Sequence, residues 1–331
     1  MSTVSKSDVE AKKIIFSQKQ TSALCYDNDM KINWFPGHMN KAQKEIRKTV
    51  PKCSLIIEVL DARIPFSSEN PLVAGLRGDT PTIKVLNKSD LADPKVTAMW
   101  IERLNSLEGV TAVDIQGNIP GQAKSLLQLG IRQLPKDRNK ERPITTMILG
   151  VPNVGKSTII NSLAGRKIAK TGNIPAVTKQ QQRIRIDHNV VLLDTPGFLW
   201  PRLHPHSCGL KLAVSGAIKD AVTEFEDLAF WAIRYLADNY PNELMSRYNL
   251  EGLPDTEMEI LEAIAGKRGC LGRRGVLNLN KVSQVVVLDY RQSKMGHLSL
   301  ETPAQVDYEL AHAPPDESAK ERRKRKKLKR R

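Results

Sequence analysis

Short apolar runs alternate with stretches of helical period over the first two thirds of the chain. Leu55 to Asp61 (LIIEVLD), Thr82 to Leu86, Val110 to Asp114, Ile144 to Leu149 and Val190 to Leu193 have strand length, and Arg183 to Ile186 pairs naturally with the last of them. Between them, Pro71 to Leu76, Lys95 to Ser106, Gly121 to Leu134 and Ser157 to Ala164 read as helices, as does His38 to Thr49 with Met39, Ala42 and Ile46 among lysines. Such alternation predicts an α/β fold: a mostly parallel sheet with helices on both faces and ligand-binding loops at the strand ends.

The pattern changes after Pro201. Leu210 to Asp238 reads as one long, proline-free helix with Leu212, Val222, Phe225, Leu228, Ala229 and Ala232 at apolar spacing, and Glu257 to Ala265 as another. A Gly/Arg loop, GKRGCLGRRG, precedes an apolar segment around Val285 to Leu288. The expected organisation is a poorly ordered leader over 1–29, an α/β domain over 30–203, a smaller helical domain over 204–310 and a disordered basic tail over 311–331. PKDRNKERP, from Pro135 to Pro143, is charged and bounded by prolines, so it reads as a surface connection between two halves of one sheet.

Composition narrows the function classes. A chain of 331 residues has room for two cores, and no apolar run approaches the roughly twenty residues of a membrane span. The four cysteines contain no C-x-x-C pair, which argues against a zinc ribbon or disulfide framework and for a reducing compartment. His204, His206 and Cys208 crowd around Pro205 too tightly for a metal site and read as loop residues. The leader resembles neither a secretory nor a mitochondrial presequence. Nine of the fifteen net positive charges lie in KERRKRKKLKRR, Lys320 to Arg331. A block of that density stays solvated and attracts polyanions, nucleic acid above all, unless it serves only solubility or nuclear import.

Chemistry enters with GVPNVGKST, Gly150 to Thr158, which follows a strand and opens a helix. The spacing suits a loop whose backbone N–H groups curl around phosphate oxygens. Asn153, Val154, Gly155, Lys156, Ser157 and Thr158 form the expected nucleotide contacts, with Lys156 on the β- and γ-phosphates and Ser157 on Mg2+. NKSD at Asn87 to Asp90 would read guanine: Asp90 accepts from the base's two donors, Asn87 favours the keto oxygen and the Lys88 stem lies along the ring. DTPG at Asp194 to Gly197 would place Asp194 on Mg2+ and the Gly197 amide near the γ-phosphate. Thr178, in IPAVTK, is the expected switch threonine on Mg2+, or an ordinary loop threonine.

In an ordinary GTPase the guanine-reading motif follows the phosphate loop, and here it precedes it. The order NKSD, phosphate loop, switch threonine, DTPG is that of a circularly permuted P-loop GTPase. Strand ends in a parallel sheet stay adjacent whichever surface loop is opened, provided the old termini are joined. The segment after DTPG then leads directly into the helical domain, so nucleotide state would be transmitted there.

The permuted order, WFPGHM at Trp34 to Met39, VLDARIP at Val59 to Pro65, NKSD, GVPNVGKST and DTPGFLWP resemble the ribosome biogenesis GTPase A (YlqF/RbgA) family over roughly Met30 to Pro303. DYRQSKMG and SLETP, Asp289 to Gly296 and Ser299 to Pro303, match its closing segment. The resemblance implies a GTPase that couples GTP hydrolysis to late assembly of the large (50S) ribosomal subunit, with its helical domain on rRNA, and the chain is read as cytoplasmic and expected to act as a monomer. Lys267, Arg268, Arg273 and Arg274 are candidate phosphate contacts or solvated loop charges. Asn153 matches related GTPases that use K+, so K+ is implied beside GTP/GDP and Mg2+. Phe198 stands where many GTPases carry the water-orienting glutamine, and an apolar ring cannot orient water. His38 is the candidate replacement beside Lys156 and Gly197 in catalysis, or else a structural or rRNA-contacting histidine. The sequence departs from the common pattern at Ala176, and at TAVDI, Thr111 to Ile115, where the guanine-side loop lacks Ser-Ala.

Intrinsic hydrolysis is expected to be slow, with the ribosome ordering the switches. The alternatives are an rRNA-binding module with a structural nucleotide, and a GTP-dependent RNA-modifying enzyme, for which the helical domain shows no catalytic constellation.

Overall fold

The computed structural model describes residues 44–117, 119–136, 142–168, 182–200 and 203–313. His38, Thr178, the leader and residues 314–331 of the basic tail lie outside the described residues, while residues 311 and 312, expected in the disordered tail, close the last helix. Among the described residues six strands form one sheet: β1 (Leu55–Asp61), β2 (Thr82–Asn87), β3 (Val110–Ile115), β4 (Ile144–Leu149), β5 (Gln182–Arg185) and β6 (Val190–Asp194). Their spatial order is β3-β2-β1-β4-β6-β5, parallel throughout except for β5 on β6. The phosphate-loop strand β4 is therefore central in space although fourth in sequence, which is the permuted P-loop GTPase arrangement.

Every residue of β1 and β2 is buried, which explains their continuous apolar character. Two of the three charges within them answer each other: Glu58 lies opposite Lys84 in register, and Lys84 also pairs with Glu69, while Asp61 closes β1. Helices α1 (Pro71–Leu76), α2 (Pro94–Asn105), α3 (Pro120–Arg132) and α4 (Lys156–Ala164) connect the strands. Proline opens the first three, where its missing N–H costs nothing, and the Asn70 and Asp93 side chains cap α1 and α2.

The helical part contains α5 (Ser207–Val214), α6 (Phe225–Asn239), α7 (Pro241–Tyr248), α8 (Glu257–Arg268), α9 (Leu279–Arg291) and α10 (Pro303–His312). The single helix expected over Leu210 to Asp238 is two. α5 ends in a Schellman motif, with Ala217 N–H on the Leu212 carbonyl and Gly216 N–H on that of Ala213. Gly216 adopts a φ of +83°, and an irregular segment with a short 3-10 turn at Asp220–Val222 precedes α6.

One hydrophobic cluster runs from the sheet (Ile57, Ile148) into the helical part (Leu212, Leu228, Val286). α10 returns to pack on α2, with Val306 among Leu60, Leu86, Trp100 and Leu104. Trp100 donates its indole N–H to the Glu301 carbonyl at 3.0 Å. Among the described residues no helix is long and apolar enough to cross a membrane.

Candidate nucleotide-binding site

The carboxyl ends of β1, β2, β4 and β6 lie along one edge, and NKSD, the phosphate loop and DTPG emerge there. Register aligns Asp61 with Asn87 and Ile148 with Asp194. The loop Gly150–Gly155 bridges β4 to α4, and Lys156 opens the helix. Lys156 is buried, and its Nζ donates to the Gly150 and Val151 carbonyls at 3.0 and 2.8 Å. An ammonium with two protons so placed has a third for a ligand. Burial pulls the Lys156 pKa down to about 8 against the opposing charge of Asp194.

Asp194 is the complementary group. It is buried at the end of β6, and its Oδ2 has no hydrogen-bond partner among the described residues. Burial pushes its pKa up to about 6, with Lys156 working against the shift. A buried carboxylate with an orphaned oxygen at the end of β6, together with the Ser157 hydroxyl in the first turn of α4, is a donor set whose chemistry suits a hard divalent cation, so the residues present fit Mg2+. Thr195 fixes this end of β6 by donating to the Ile148 carbonyl at 2.9 Å. Gly197 comes so close to the phosphate loop that a Cβ there would sit 2.9 Å from both Lys156 Nζ and Pro152 Cα. Phe198 is fully buried in the core.

At the other end, Asn87 is spent largely on organising the site. Its Nδ2 donates to the Val154 carbonyl at 2.7 Å, and its Oδ1 accepts from Gly117 N–H at 2.8 Å. The amide thus ties the phosphate loop to the loop after β3, with one N–H left for a base. Gly155 must lack a side chain because a Cβ there would fall 2.2 Å from Asn87 Nδ2. Lys88, at a φ of +61°, sends its Nζ to Asp61 Oδ2 at 2.9 Å. Asp90 is exposed in the turn Ser89–Leu91. Its carbonyl lies 2.7 Å from His297 Nδ1, and Leu298 N–H donates to the Leu91 carbonyl.

The structure therefore gathers Asn87, Lys88, Asp90, Asn153, Val154, Gly155, Lys156, Ser157, Thr158, Asp194 and Gly197 along one edge. His38 and Thr178 lie outside the described residues. Sequence reasoning looked for the guanine-side loop at Thr111 to Ile115, which is strand β3 itself. The loop begins at Gln116, and Gly117, whose carbonyl accepts from Ser162 Oγ at 3.0 Å, is its anchor. Its contacts run through backbone atoms, so no side-chain motif marks it. Also missed was the pair Asp61–Arg63, in which Arg63 Nε and Nη2 reach the carboxylate at 2.9 and 2.8 Å. These contacts, with Lys88, hold the Asp61 pKa well below the usual range despite burial.

Residues 145–255 match the family model described as 50S ribosome-binding GTPase. The chain is 41% identical over 281 residues to ribosome biogenesis GTPase A of Bacillus pumilus, covering 83% of this chain and 99% of that protein. It is 30% identical over 275 residues to the protein of the same name from Thermotoga maritima, covering 83% and 96% respectively. The crystal structure of GNP-bound YlqF from T. maritima superposes with a TM-score of 0.59 at 29% identity, over 80% of this chain and 98% of that one.

Proposed function

This chain belongs to the ribosome biogenesis GTPase A family and hydrolyses GTP, and from that premise we propose that it is a cytoplasmic, nucleotide-controlled assembly factor of the large ribosomal subunit. The carrying observation is the Asn87 side chain, which binds a guanine-reading motif to a phosphate loop that follows it in sequence. That contact gives the permuted chain one continuous nucleotide site.

In this reading Asp90 selects guanine by accepting from its N1–H and exocyclic amine, and adenine would leave the carboxylate without those partners. The loop Asn153–Thr158 cradles the phosphates, and Lys156 offers its remaining N–H to the β- and γ-phosphoryl oxygens. Ser157, Thr178 and Asp194 would hold Mg2+, which supplies charge neutralisation for phosphoryl transfer. Asn153 donates its Nδ2 to the Gly216 carbonyl at 3.2 Å, so the amide oxygen is its open acceptor and suits K+. The Gly197 amide responds to the γ-phosphate. With Phe198 committed to the core, water is positioned by another group, and His38 is proposed for that role.

The RNA-facing surface is proposed at the turn between α8 and α9. Lys267, Arg273 and Arg274 are exposed there, beside exposed Leu271 and Val276. Arg268 is exposed as well, but its Nη2 donates to the Arg247 carbonyl and its guanidinium lies over the Tyr248 ring, so it is partly engaged within the fold. The charge reading is thereby narrowed to three residues, together with the basic tail. The protein is expected to act as a monomer. Sedimentation with purified large subunits tests the reading: retention with a GTP analogue and release with GDP are expected, and equal retention in both states would contradict nucleotide control.

A further inference from the structure

The nucleotide site leaves unexplained the buried Arg63 of the DAR stretch and the carbonyl end of α5. Arg63 is 2% exposed. Besides gripping Asp61, its Nη2 reaches the Ser215 carbonyl at 3.4 Å, and its guanidinium carbon lies 5.2 Å from the centre of the Tyr290 ring on α9. Its own carbonyl accepts from Leu300 N–H at 2.8 Å. Asp61 in turn holds Lys88 of the guanine-reading motif. One guanidinium thus touches the base-reading loop through Asp61 and the helical part directly.

The end of α5 is held from three sides. Arg291 of α9 donates to the Ala213 and Val214 carbonyls at 2.9 and 3.0 Å, and is itself anchored by Asp220 at 2.8 Å. Arg63 takes the Ser215 carbonyl, and Asn153 of the phosphate loop takes that of Gly216. The segment after β1, the phosphate loop and the helical bundle therefore meet on one four-residue turn, with the base-reading loop one contact away through Asp61. Helix-terminal carbonyls need donors, and here the donors come from the very elements that must act together.

We propose that the turn Ala213–Gly216, held by Arg63 and Arg291, couples nucleotide occupancy to the helical part, with both arginines acting as positioning residues for the two nucleotide-contacting loops. This rests on the guanine-nucleotide reading of the site. Neither arginine contacts nucleotide in this scheme. Arg63 sets the Asp61–Lys88 contact, and Arg291 sets the turn to which Asn153 is tied. Coupling of this kind is reciprocal, so a partner that shifts α9 changes the rate at which nucleotide leaves.

The test is the dissociation rate of a fluorescent GDP from the full-length wild type, Arg63→Lys, Arg291→Ala and the double variant, with melting curves of each without nucleotide. Arg63→Lys keeps the charge that Asp61 needs but cannot span from Asp61 to Ser215. Each single change is expected to speed release about fivefold or more, the lower end of ordinary allosteric coupling. The double variant should be no faster than the faster single one, because both act through one turn. Purely structural arginines would lower the melting temperature and leave the release rate alone. Should Arg63→Lys fail to fold, Arg291→Ala leaves the buried Asp61–Arg63 pair intact and decides the matter. Unchanged release from folded Arg291→Ala, or multiplied effects in the double variant, overturns the proposal. A wild type that does not bind GDP would sink the nucleotide reading as well.

Discussion

The Asp194 carboxylate carries the clearest pH consequence. Its pKa lies near 6, above the ordinary carboxylate value, because burial disfavours its charge. A raised carboxyl contributes stability fully below its unfolded pKa and loses it as pH climbs through about 6, so metal-free protein is penalised here at neutral pH. Mg2+ requires the ionised form, and its affinity should fall by about tenfold per pH unit below about 6. Titrating Mg2+ against GTP turnover between pH 5 and 8 checks this, and a flat affinity would remove Asp194 from the metal site. Asp90→Asn replaces an acceptor with a donor, so GDP should bind about 2–3 kcal/mol more weakly, on the order of 100-fold. Xanthosine diphosphate, with an oxo group where guanine has an amine, should lose far less in the same competition assay. Gly197→Ala would drive a Cβ against Pro152 and Lys156. GTP turnover should drop by at least about tenfold while GDP binding persists, and normal turnover would show that the Gly197 approach has no catalytic meaning.

Among the elements, the sheet was readable because its strands β1 and β2 are buried on both faces and therefore largely aliphatic, and because β4 and β2 end in motifs with fixed chemistry. What escaped reading was set by partners distant in sequence. Glu58 interrupts an apolar run for the sake of Lys84, and Asn87 serves Val154 and Gly117 as much as a base. The break after α5 was hidden because Gly216 sits in a stretch, AVSGA, whose composition otherwise suits a helix. It became a stop only where its carbonyl and those before it had Asn153, Arg63 and Arg291 to receive. The return of α10 rests on a similar long-range contact. Glu301 is wholly buried, accepts from Ser67 N–H and Oγ, and faces Lys211 at 3.4 Å. Lys211 would keep Glu309 at 2.8 Å, so Glu301→Ala should cost about 1–3 kcal/mol, chiefly by leaving the buried Ser67 donors unpaired. Denaturant unfolding measures this, and a loss under about 1 kcal/mol would mean the contact is dispensable.

At the scale of the molecule, permutation places the chain after DTPG at the entrance to the helical part, while Leu298 and Leu300 lead the chain back to the base-reading turn at Leu91 and to Arg63. Both ends of the nucleotide site thus touch elements that follow Pro201 in sequence. A switch built this way should alter amide protection in α5 and α9 when a GTP analogue replaces GDP, and identical hydrogen exchange in the two states would contradict transmission. We propose above all that the particle this GTPase helps to assemble triggers its hydrolysis. The most direct measurement is GTP turnover in K+ buffer with and without purified large ribosomal subunits, for wild type and His38→Ala. Strong acceleration of the wild type, lost in a His38→Ala variant that still binds subunits, is the predicted result. Turnover unchanged by subunits that bind tightly would contradict the account and recast the protein as an RNA-binding module with a structural nucleotide.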